Sequence, residues 1–484
     1  MVQNASINTN TKLLFLVVTS ILILIVLTNP PIDPDMWWHL KSGQLIWQQK
    51  TILTHDQFSF TKLNQPWVNA FWLSDFSIYF LYSVGKFPLL IFAIALLGVF
   101  TFLLIYSRTE GPLFIRSFII LLAAISISPE WTARPQVISF FLIGLLDYWL
   151  DKKKQIKTIP FFFLPLLFII WANLHGGFIW GFLLIFARMA GLFIDHLTQY
   201  SVDWKNEFSE FKQLLFWTFI SIFAILINPN GVAIWKLPFN TIGVSISTIK
   251  EWFSPNFHNL EMQPFLWMVL LLIISYSLSS KRESFTNIFK TIGFIYLAFI
   301  SQRNIPLAII VITPLIIGRF TDFYSNLKRT TLKPSKPFVM QKNFGSIIIN
   351  IFIVILLVVT AYGRIYQQIS PSLIDKYFPV KALQALKAAH PVGNMFNSYN
   401  WGGYLIWSLP EYPVFIDGRA DLYGEAIIKE YWSVVNGSDN AIYILDKYHI
   451  NFIVLEPDWP LIKILKLYQW KVKYQDDATI VMTR

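Results

Sequence analysis

Leu13–Thr28 is an uncharged, mostly apolar run, followed at once by Asn29-Pro30-Pro31-Ile32-Asp33-Pro34-Asp35-Met36-Trp37-Trp38-His39-Leu40. The run is close to the roughly 20 apolar residues that cross a bilayer. Lys12 before it fits a signal peptide, but no small-residue cleavage site follows and Pro30-Pro31 opens a polar stretch. The run is therefore expected to be retained as a first membrane span. In the second part, Pro34 suits the first position of a helix and Asp33 its N-cap. Asp35 and His39 then stand four residues apart on one helical face. Trp37, Trp38, Leu40, Leu45, Ile46 and Trp47 give that helix an apolar side suited to the membrane interface.

The rest of the chain repeats the first half of this pattern. Of its 484 residues 55% are hydrophobic and 14% charged, against roughly 25% charged in an ordinary globular chain. The mean hydropathy is +0.51. This composition excludes a disordered chain and argues against a large soluble enzyme. The absence of Cys excludes disulfides, thiolate metal sites and cysteine nucleophiles. Further apolar segments lie at 87–107, 113–128, 135–150, 158–173, 177–195, 213–228, 264–279, 286–301, 304–318 and 345–363, which makes eleven in all. The expected fold is mainly α: a polytopic membrane helical bundle of about eleven spans over residues 1–363, with a long first outer loop at 31–86.

Lys and Arg in short loops set the orientation. One set of loops holds Lys152, Lys153, Lys154, Lys157, Lys205, Lys212, Lys281, Arg282 and the segment 319–342, whose stretch 328–337 reads as a loop between spans. The other set holds only isolated cations. The first set is expected in the cytoplasm, which puts the N-terminus inside and everything after residue 363 outside. On this topology the net charge of +11 divides as nineteen Lys/Arg against nine Asp/Glu inside, eight against seven in the outer loops, and twelve against twelve in residues 364–484. The excess is an insertion signal facing anionic lipid, and no nucleic-acid partner is implied. Residues 364–484 mix β-like runs (413–416, 452–455, 479–482) with helix-like ones (426–435, 461–468), as a small extracytoplasmic α/β domain would.

Polar clusters at the span ends fall on the outer face: Glu130 with Arg134-Pro135-Gln136, Asn173-Leu174-His175-Gly176-Gly177, Asn228-Pro229-Asn230-Gly231, Lys250-Glu251-Trp252 and Gln302-Arg303-Asn304. Each has a local explanation as a turn, hinge or snorkelling side chain. Their coincidence on one face points to a shared cavity, since polar groups at membrane depth line cavities or pair with one another. Arginines, a histidine and carboxylates together suit an anionic substrate plus a group that takes a proton. Two carboxylates, Asp33 and Asp35, stand where a lipid-borne substrate would arrive. Asp33 also has a purely local use as a cap. Asp417-Gly418-Arg419, at the end of a hydrophobic run, reads either as a ligand-binding strand end or as a turn with an internal ion pair. No phosphate-binding glycine loop, zinc spacing or Gly-x-Ser-x-Gly elbow is present.

The Asp-Pro-Asp-Met-Trp-Trp-His-Leu opening resembles the first outer loop of GT-C-type integral membrane glycosyltransferases, related to protein O-mannosyltransferases and lipid A aminoarabinose transferases. Phe58-Ser59-Phe60, Pro66-Trp67-Val68-Asn69, Trp72-Leu73-Ser74, Arg134-Pro135-Gln136, Asn173-Leu174-His175-Gly176-Gly177, Trp401-Gly402-Gly403-Tyr404 and Asp417-Gly418-Arg419 resemble a branch of bacterial membrane proteins described as glycosyltransferases, over most of the chain. The resemblance implies a GT-C-like fold and transfer of a hexosyl or pentosyl group from a polyprenyl-phosphate-linked sugar to a glycan, lipid or protein acceptor on the outer face of the plasma membrane. Asp35 is the implied base in an inverting transfer, with Asp33 assisting. Arg134, Arg303, His175 and His39 are implied at the donor phosphate. Glu130, Asn173, Asp417 and Arg419 are implied on the acceptor or accessory side. The mannosyltransferase group carries an adjacent Asp-Glu pair, whereas Pro34 separates the two acids here, which leaves the share of Asp33 open. No ligand spacing demands a metal and no cofactor is assigned; a divalent ion bridging phosphate and carboxylate stays open. Two other readings are a lipid-linked saccharide flippase, which predicts charges deep in spans and matched broken helices, and a non-catalytic scaffold of envelope assembly.

Overall fold

The computed structural model describes residues 9–152, 160–198, 204–238, 249–331 and 344–484. Lys153, Lys154 and Lys157, and residues 332–342 of the basic segment, lie outside the described residues. A helix over each of the eleven apolar segments builds the bundle: α1 (Thr9–Val26), α3 (Trp72–Arg108), α4 (Leu113–Ile127), α5 (Gln136–Lys152), α6 (Phe163–Leu174), α7 (Phe178–Thr198), α8 (Trp204–Ala224), α9 (Gln263–Leu278), α10 (Phe285–Ile300), α11 (Ile305–Thr331) and α12 (Phe344–Gln368). Six of these stretches are long and apolar enough to cross a membrane on their own: Trp72–Arg108, Leu113–Glu130, Phe178–Thr198, Leu260–Leu278, Gln302–Lys328 and Ile348–Gln368. Three shorter apolar helices, α1, α6 and α10, complete the pattern of a multi-pass membrane protein. The ring of exposed Ile, Leu, Val and Phe on α12 is the surface expected of a helix facing lipid.

Between α1 and α3 lies α2 (Pro34–Gln49), with Asp33 at its N-cap and Pro34 in its first turn, as its sequence predicts. Asp33 Oδ1 accepts from the Asp35 amide at 2.9 Å. The apolar side of α2 departs from the expectation. Met36, Trp37, Trp38, Leu40 and Ile46 are buried in protein, and only Trp47, at 40% exposure, is open. Trp37 packs edge-on against Phe378 and Tyr404 at 5.4 and 4.8 Å between centroids. The C-terminal unit thus covers the face assigned to the membrane interface, where each edge-on aromatic pair adds about 0.5–1.5 kcal/mol beyond the area it buries.

The partner of α2 is also longer than its apolar pattern suggests. α3 starts at Trp72, well before the segment 87–107, and kinks at Gly85 and Lys86. Its first half interleaves Ser74, Asp75, Ser77 and Ser83 with apolar residues and lies along α2, so hydropathy alone misses it. The two helices meet at Gly43, where a Cβ would fall 2.0 Å from the Asp75 carbonyl oxygen.

The C-terminal unit holds helices α13 (Pro371–Tyr377), α14 (Val380–Ala389), α15 (Gly402–Ser408), α16 (Ala420–Val435), α17 (Ala441–Lys447) and α18 (Pro460–Leu467). They surround a sheet of β1 (Asn394–Asn397), β2 (Ile450–Leu455), β3 (Lys471–Gln475) and β4 (Ile480–Thr483), in the order β1-β2-β4-β3. β1 pairs with β2 in parallel, and the β2–β4 and β4–β3 pairs are antiparallel. The run 413–416 is not one of these strands. Val414 instead exchanges backbone hydrogen bonds with Phe58 and Phe60, at 3.0 and 3.2 Å. Asn397 holds the run from the other side, accepting from Phe415 N at 2.8 Å and donating to Ile416 O at 2.8 Å. The run therefore splices the C-terminal unit to the loop after α2.

Gly43→Ala is expected to drive α2 and α3 apart and to cost about 1–3 kcal/mol, the usual penalty of overpacking. Thermal unfolding of the purified protein in detergent measures it, as a lowered Tm.

Candidate active site

Four turns at one end of the bundle and the start of α2 converge on a single cavity of about 260 Å³. The first turn, 128–135, is tied to the end of α1. Asn29 Nδ2 donates to the carbonyls of Ser128 and Trp131 at 2.6 and 3.0 Å, and Trp131, fully buried, donates to Ile94 O at 2.9 Å. This places Arg134 against the N-terminus of α2. Its Nε lies 2.8 Å from Asp33 Oδ2, its Nη1 3.1 Å from Asp35 Oδ2, and its Nη2 2.9 Å from Glu251 Oε2. Thr132 Oγ1 adds a hydrogen bond to Asp33 Oδ2 at 2.7 Å.

The second and third turns carry Glu251 and Arg303. Ser301 Oγ donates to Glu251 O at 3.1 Å and Gln302 N to Phe253 O at 2.9 Å, which locks the two turns together. Arg303 Nη1 reaches Glu251 Oε1 at 3.0 Å, and its guanidinium lies 5.1 Å from the Trp252 ring. The fourth turn, between α6 and α7, presents His175. Its Nδ1 accepts from the Gly177 amide at 2.9 Å and lies 2.7 Å from Ser139 Oγ, which itself accepts from Trp171 Nε1. Burial and the nearby charges of Arg303 and Arg134 push His175 down to about 3, so the ring is neutral. With Nδ1 accepting an amide hydrogen, the proton of the neutral ring sits on Nε2, and His175 is a hydrogen-bond donor to the cavity.

Asp35 has the opposite character. Burial drives its carboxyl up, Arg134 opposes this, and the result is about 6. Trp38 Nε1 holds one oxygen at 3.1 Å. Glu251 is partly buried, but the pull of Arg134 and Arg303 outweighs its desolvation and takes it down to about 2. A base near neutrality and a permanently ionised carboxylate thus stand on either side of one guanidinium.

The residues singled out from sequence divide by position. Asp35, His39, Arg134, His175 and Arg303 line the cavity together. Asp33 lies behind Arg134 as cap and counter-ion. His39 lines the wall with Nδ1 held by Asp75 at 2.6 Å, and burial followed by the Arg134 charge lowers its pKa well below the ordinary value. Glu130 is buried beside the site without lining it. Asn173 is a staple: it accepts from Trp72 Nε1 at 2.9 Å and donates to Ile169 and Ile227 carbonyls at 2.8 Å each. It faces a separate lateral groove with Trp72 and Asn228. Arg419 makes a bidentate bond to Asp417, through Nε at 2.8 Å and Nη2 at 2.7 Å, and its Nη1 lies 2.7 Å from Asp56. Tyr423 Oη completes the shell of Asp417 at 2.6 Å. The polar atoms of Asp417 and Arg419 therefore serve each other, and Arg419 borders the cavity at its edge.

Three residues gain a place that sequence alone did not assign. Glu251 belongs to a recognised polar cluster, but only the fold shows it bridging two arginines. Asp75 follows Trp72-Leu73-Ser74 and is the partner of His39. Asp421 lines the cavity from α16, pushed up to about 6 by burial. The C-terminal unit closes the wall at two glycines: a Cβ on Gly418 would fall 1.7 Å from Asp35 Oδ1, and one on Gly403 2.3 Å from Pro34 O. Among the described residues no group of three or more His, Asp and Glu is arranged to hold a metal ion.

A scan of protein-family models and a search of curated proteins give no match. Solved structures do match. The apo form of the Archaeoglobus fulgidus oligosaccharyltransferase superposes with a TM-score of 0.57 at 11% identity, over 93% of this chain and 70% of that one. The oligosaccharyltransferase AglB from the same organism, in complex with an inhibitory peptide and a dolichol-phosphate, gives 0.56 at 12% identity, over 92% and 69%. ArnT from Cupriavidus metallidurans in the apo state gives 0.50 at 12% identity, over 98% of both chains. At such identities the likeness is one of fold alone: this chain's membrane helical bundle, with its C-terminal α/β unit, is GT-C-like.

Asp56→Asn is expected to remove one of the two carboxylates that neutralise Arg419. A charged contact of this kind contributes about 1.5–3 kcal/mol. The loss stays below the ~3–5 kcal/mol of a fully orphaned buried charge because Asp417 remains. Chemical denaturation of wild type and variant gives the difference.

Proposed function

We propose that this chain is an inverting membrane glycosyltransferase. It moves a hexosyl or pentosyl group from a polyprenyl-phosphate-linked donor to an acceptor hydroxyl of a glycan, lipid or protein. The observation that carries the reading is the position of Asp35, a carboxyl raised to about 6 that opens on the same cavity as Arg134, Arg303 and His175. The fold adds support, since AglB of that fold is seen with a dolichol-phosphate. Fold alone does not specify a reaction, so the weight rests on the site.

In the proposed reaction the acceptor oxygen attacks the anomeric carbon and gives its proton to Asp35. The bond from that carbon to the phosphate oxygen breaks, and the phosphate leaves with the electron pair. A single displacement inverts the configuration. A carboxylate near 6 is a stronger base than an ordinary one and is still ionised at neutral pH. Arg134, Arg303 and the Nε2 hydrogen of His175 stabilise the charge that grows on the leaving phosphate. Asp33 holds Arg134 in place. Asp421 and the Gly418 backbone form the acceptor side with the Asp417–Arg419 pair behind them.

On the same reading residues 1–363 are the membrane domain and 364–484 an extracytoplasmic one, with the N-terminus in the cytoplasm. The uneven spread of Lys and Arg supports this orientation. The buried network of Arg108, Asp147 and Lys290 lies at the ends of α3 and α5 remote from the cavity, on the face read as cytoplasmic.

Asp35→Asn is expected to lower turnover roughly 10²–10⁴-fold while the protein remains folded. The measurement is complementation of a deletion strain, scored by the return of the missing glycan or the disappearance of an accumulated polyprenyl-linked sugar. Full complementation by Asp35→Asn removes Asp35 from the role of base. The pH profile follows from the same carboxyl. Asp35 acts ionised, and its pKa is raised, so kcat/KM should be level above about pH 6 and fall about tenfold per unit below it. A profile level down to pH 4.5 contradicts the assignment.

A further inference from the structure

Arg134 spends Nε on Asp33 and Nη1 on Asp35, which leaves Nη2 as its remaining ion-pairing edge toward the cavity. Nη2 and Arg303 Nη1 are both taken by Glu251, whose Oε2 and Oε1 lie 2.9 and 3.0 Å away. One carboxylate thus spans two guanidiniums, each of its oxygens on a different arginine. A phosphate presents two oxygens in nearly the same arrangement. It cannot reach both arginines through these edges while Glu251 occupies them.

We infer that Glu251 is a displaceable stand-in for the ligand phosphate, holding the two arginines until the phosphate enters and leaving them then. The inference rests on the reading of the cavity as a polyprenyl-phosphate site and adds how that site is kept and opened. Two features make the exchange feasible. The Glu251 side chain is 23% exposed, against 9% for Arg134, so it has room to rotate. Its backbone is pinned by Ser301 Oγ, so only the side chain has to move. Glu251 thereby meets the charge of Arg303, which otherwise faces Arg134 with no carboxylate partner of its own among the described residues, while Arg134 keeps Asp33 and Asp35 in either case. The cost falls on binding: apparent affinity is reduced by the fraction of molecules in which the arginines are free. The stand-in is selective as well, since only an anion able to bridge both arginines recovers what Glu251 gives up.

The test uses the full chain in lipid nanodiscs, with undecaprenyl phosphate and inorganic phosphate as probes. Glu251→Gln keeps shape but loses the charge. It is expected to bind undecaprenyl phosphate at least about tenfold more tightly than wild type. Its Tm without ligand should be lower and its gain in Tm on adding the lipid larger, by linkage. Glu251→Asp, which reaches one arginine at a time, should fall between the two and serves if Glu251→Gln does not fold. Unchanged or weaker binding in the variants, with wild type still binding, overturns the stand-in and makes Glu251 part of the ligand's own contacts or of the scaffold. A gain seen equally with inorganic phosphate supports the exchange at a general phosphate seat and counts against a lipid-linked donor. No binding of either probe by any form overturns both readings.

Discussion

Arg134 is the group on which the site depends. It is nearly buried, and a buried guanidinium is tolerable only when its charge is met at close range. Here it is met by three carboxylates from two separate segments, Asp33 and Asp35 at the start of α2 and Glu251 from the turn after α8. Each pairing has a structural consequence. The Asp33 contact fixes the junction between α1 and α2. The Asp35 contact aims that carboxyl at the cavity and partly offsets the rise that burial imposes on it. The Glu251 contact brings in the turn that also carries Trp252, and through it Arg303.

A second buried arginine does for the C-terminal unit what Arg134 does for the bundle. Arg419 joins Asp417 of its own turn to Asp56 of the loop after α2, with the rings of Trp67 and Phe58 about it at 4.8 and 5.0 Å. The exchange of backbone hydrogen bonds between Val414 and Phe58 and Phe60 runs alongside. The unit is thereby held so close that Gly418 touches Asp35 and Gly403 touches the backbone of Pro34. At both points a side chain has no space. The C-terminal unit is therefore a wall of the cavity, and the two Asp-containing motifs, far apart in sequence, are two sides of one site.

How much of this was legible follows from what each signal measures. Hydropathy finds lipid-facing and core helices alike, so a helix lies over every apolar segment. It fails for the first half of α3, whose polar residues Ser74 and Asp75 are buried in protein, Asp75 against α2. Capping chemistry is local, so Asp33 and Pro34 were readable as the start of α2. The gathering of Asp35, Arg134, His175 and Arg303 was readable as well, because polar residues at span ends on one face have few places to go. Pairings were not. Asp75 with His39, Asp56 with Arg419 and Glu251 with its two arginines join residues far apart in sequence, and nothing in composition or spacing ranks one carboxylate above another. The run 413–416 has a strand's pattern because both its faces are buried, but the same pattern serves a segment that pairs with a loop.

The polar groups of the cavity are sorted, and the sorting has a direction. His175 is locked as a donor by the amide of Gly177, and the arginines can only donate. Asp35, ionised at neutral pH, can only accept. The donors Arg134, Arg303 and His175 and the base Asp35 thus share one cavity, with Arg134 in contact with Asp35 and Glu251 between the two arginines. Growing negative charge is favoured at the donors, and loss of a proton at Asp35. In the proposed transfer from a phosphate to a hydroxyl these donors and the base are in place before the reaction and only the Glu251 side chain moves as the phosphate enters, so few dipoles reorganise during the reaction itself. The lowered pKa of His175 serves the same end. A cationic imidazolium would add positive charge near Arg134 and Arg303, whereas the neutral ring supplies a donor without it.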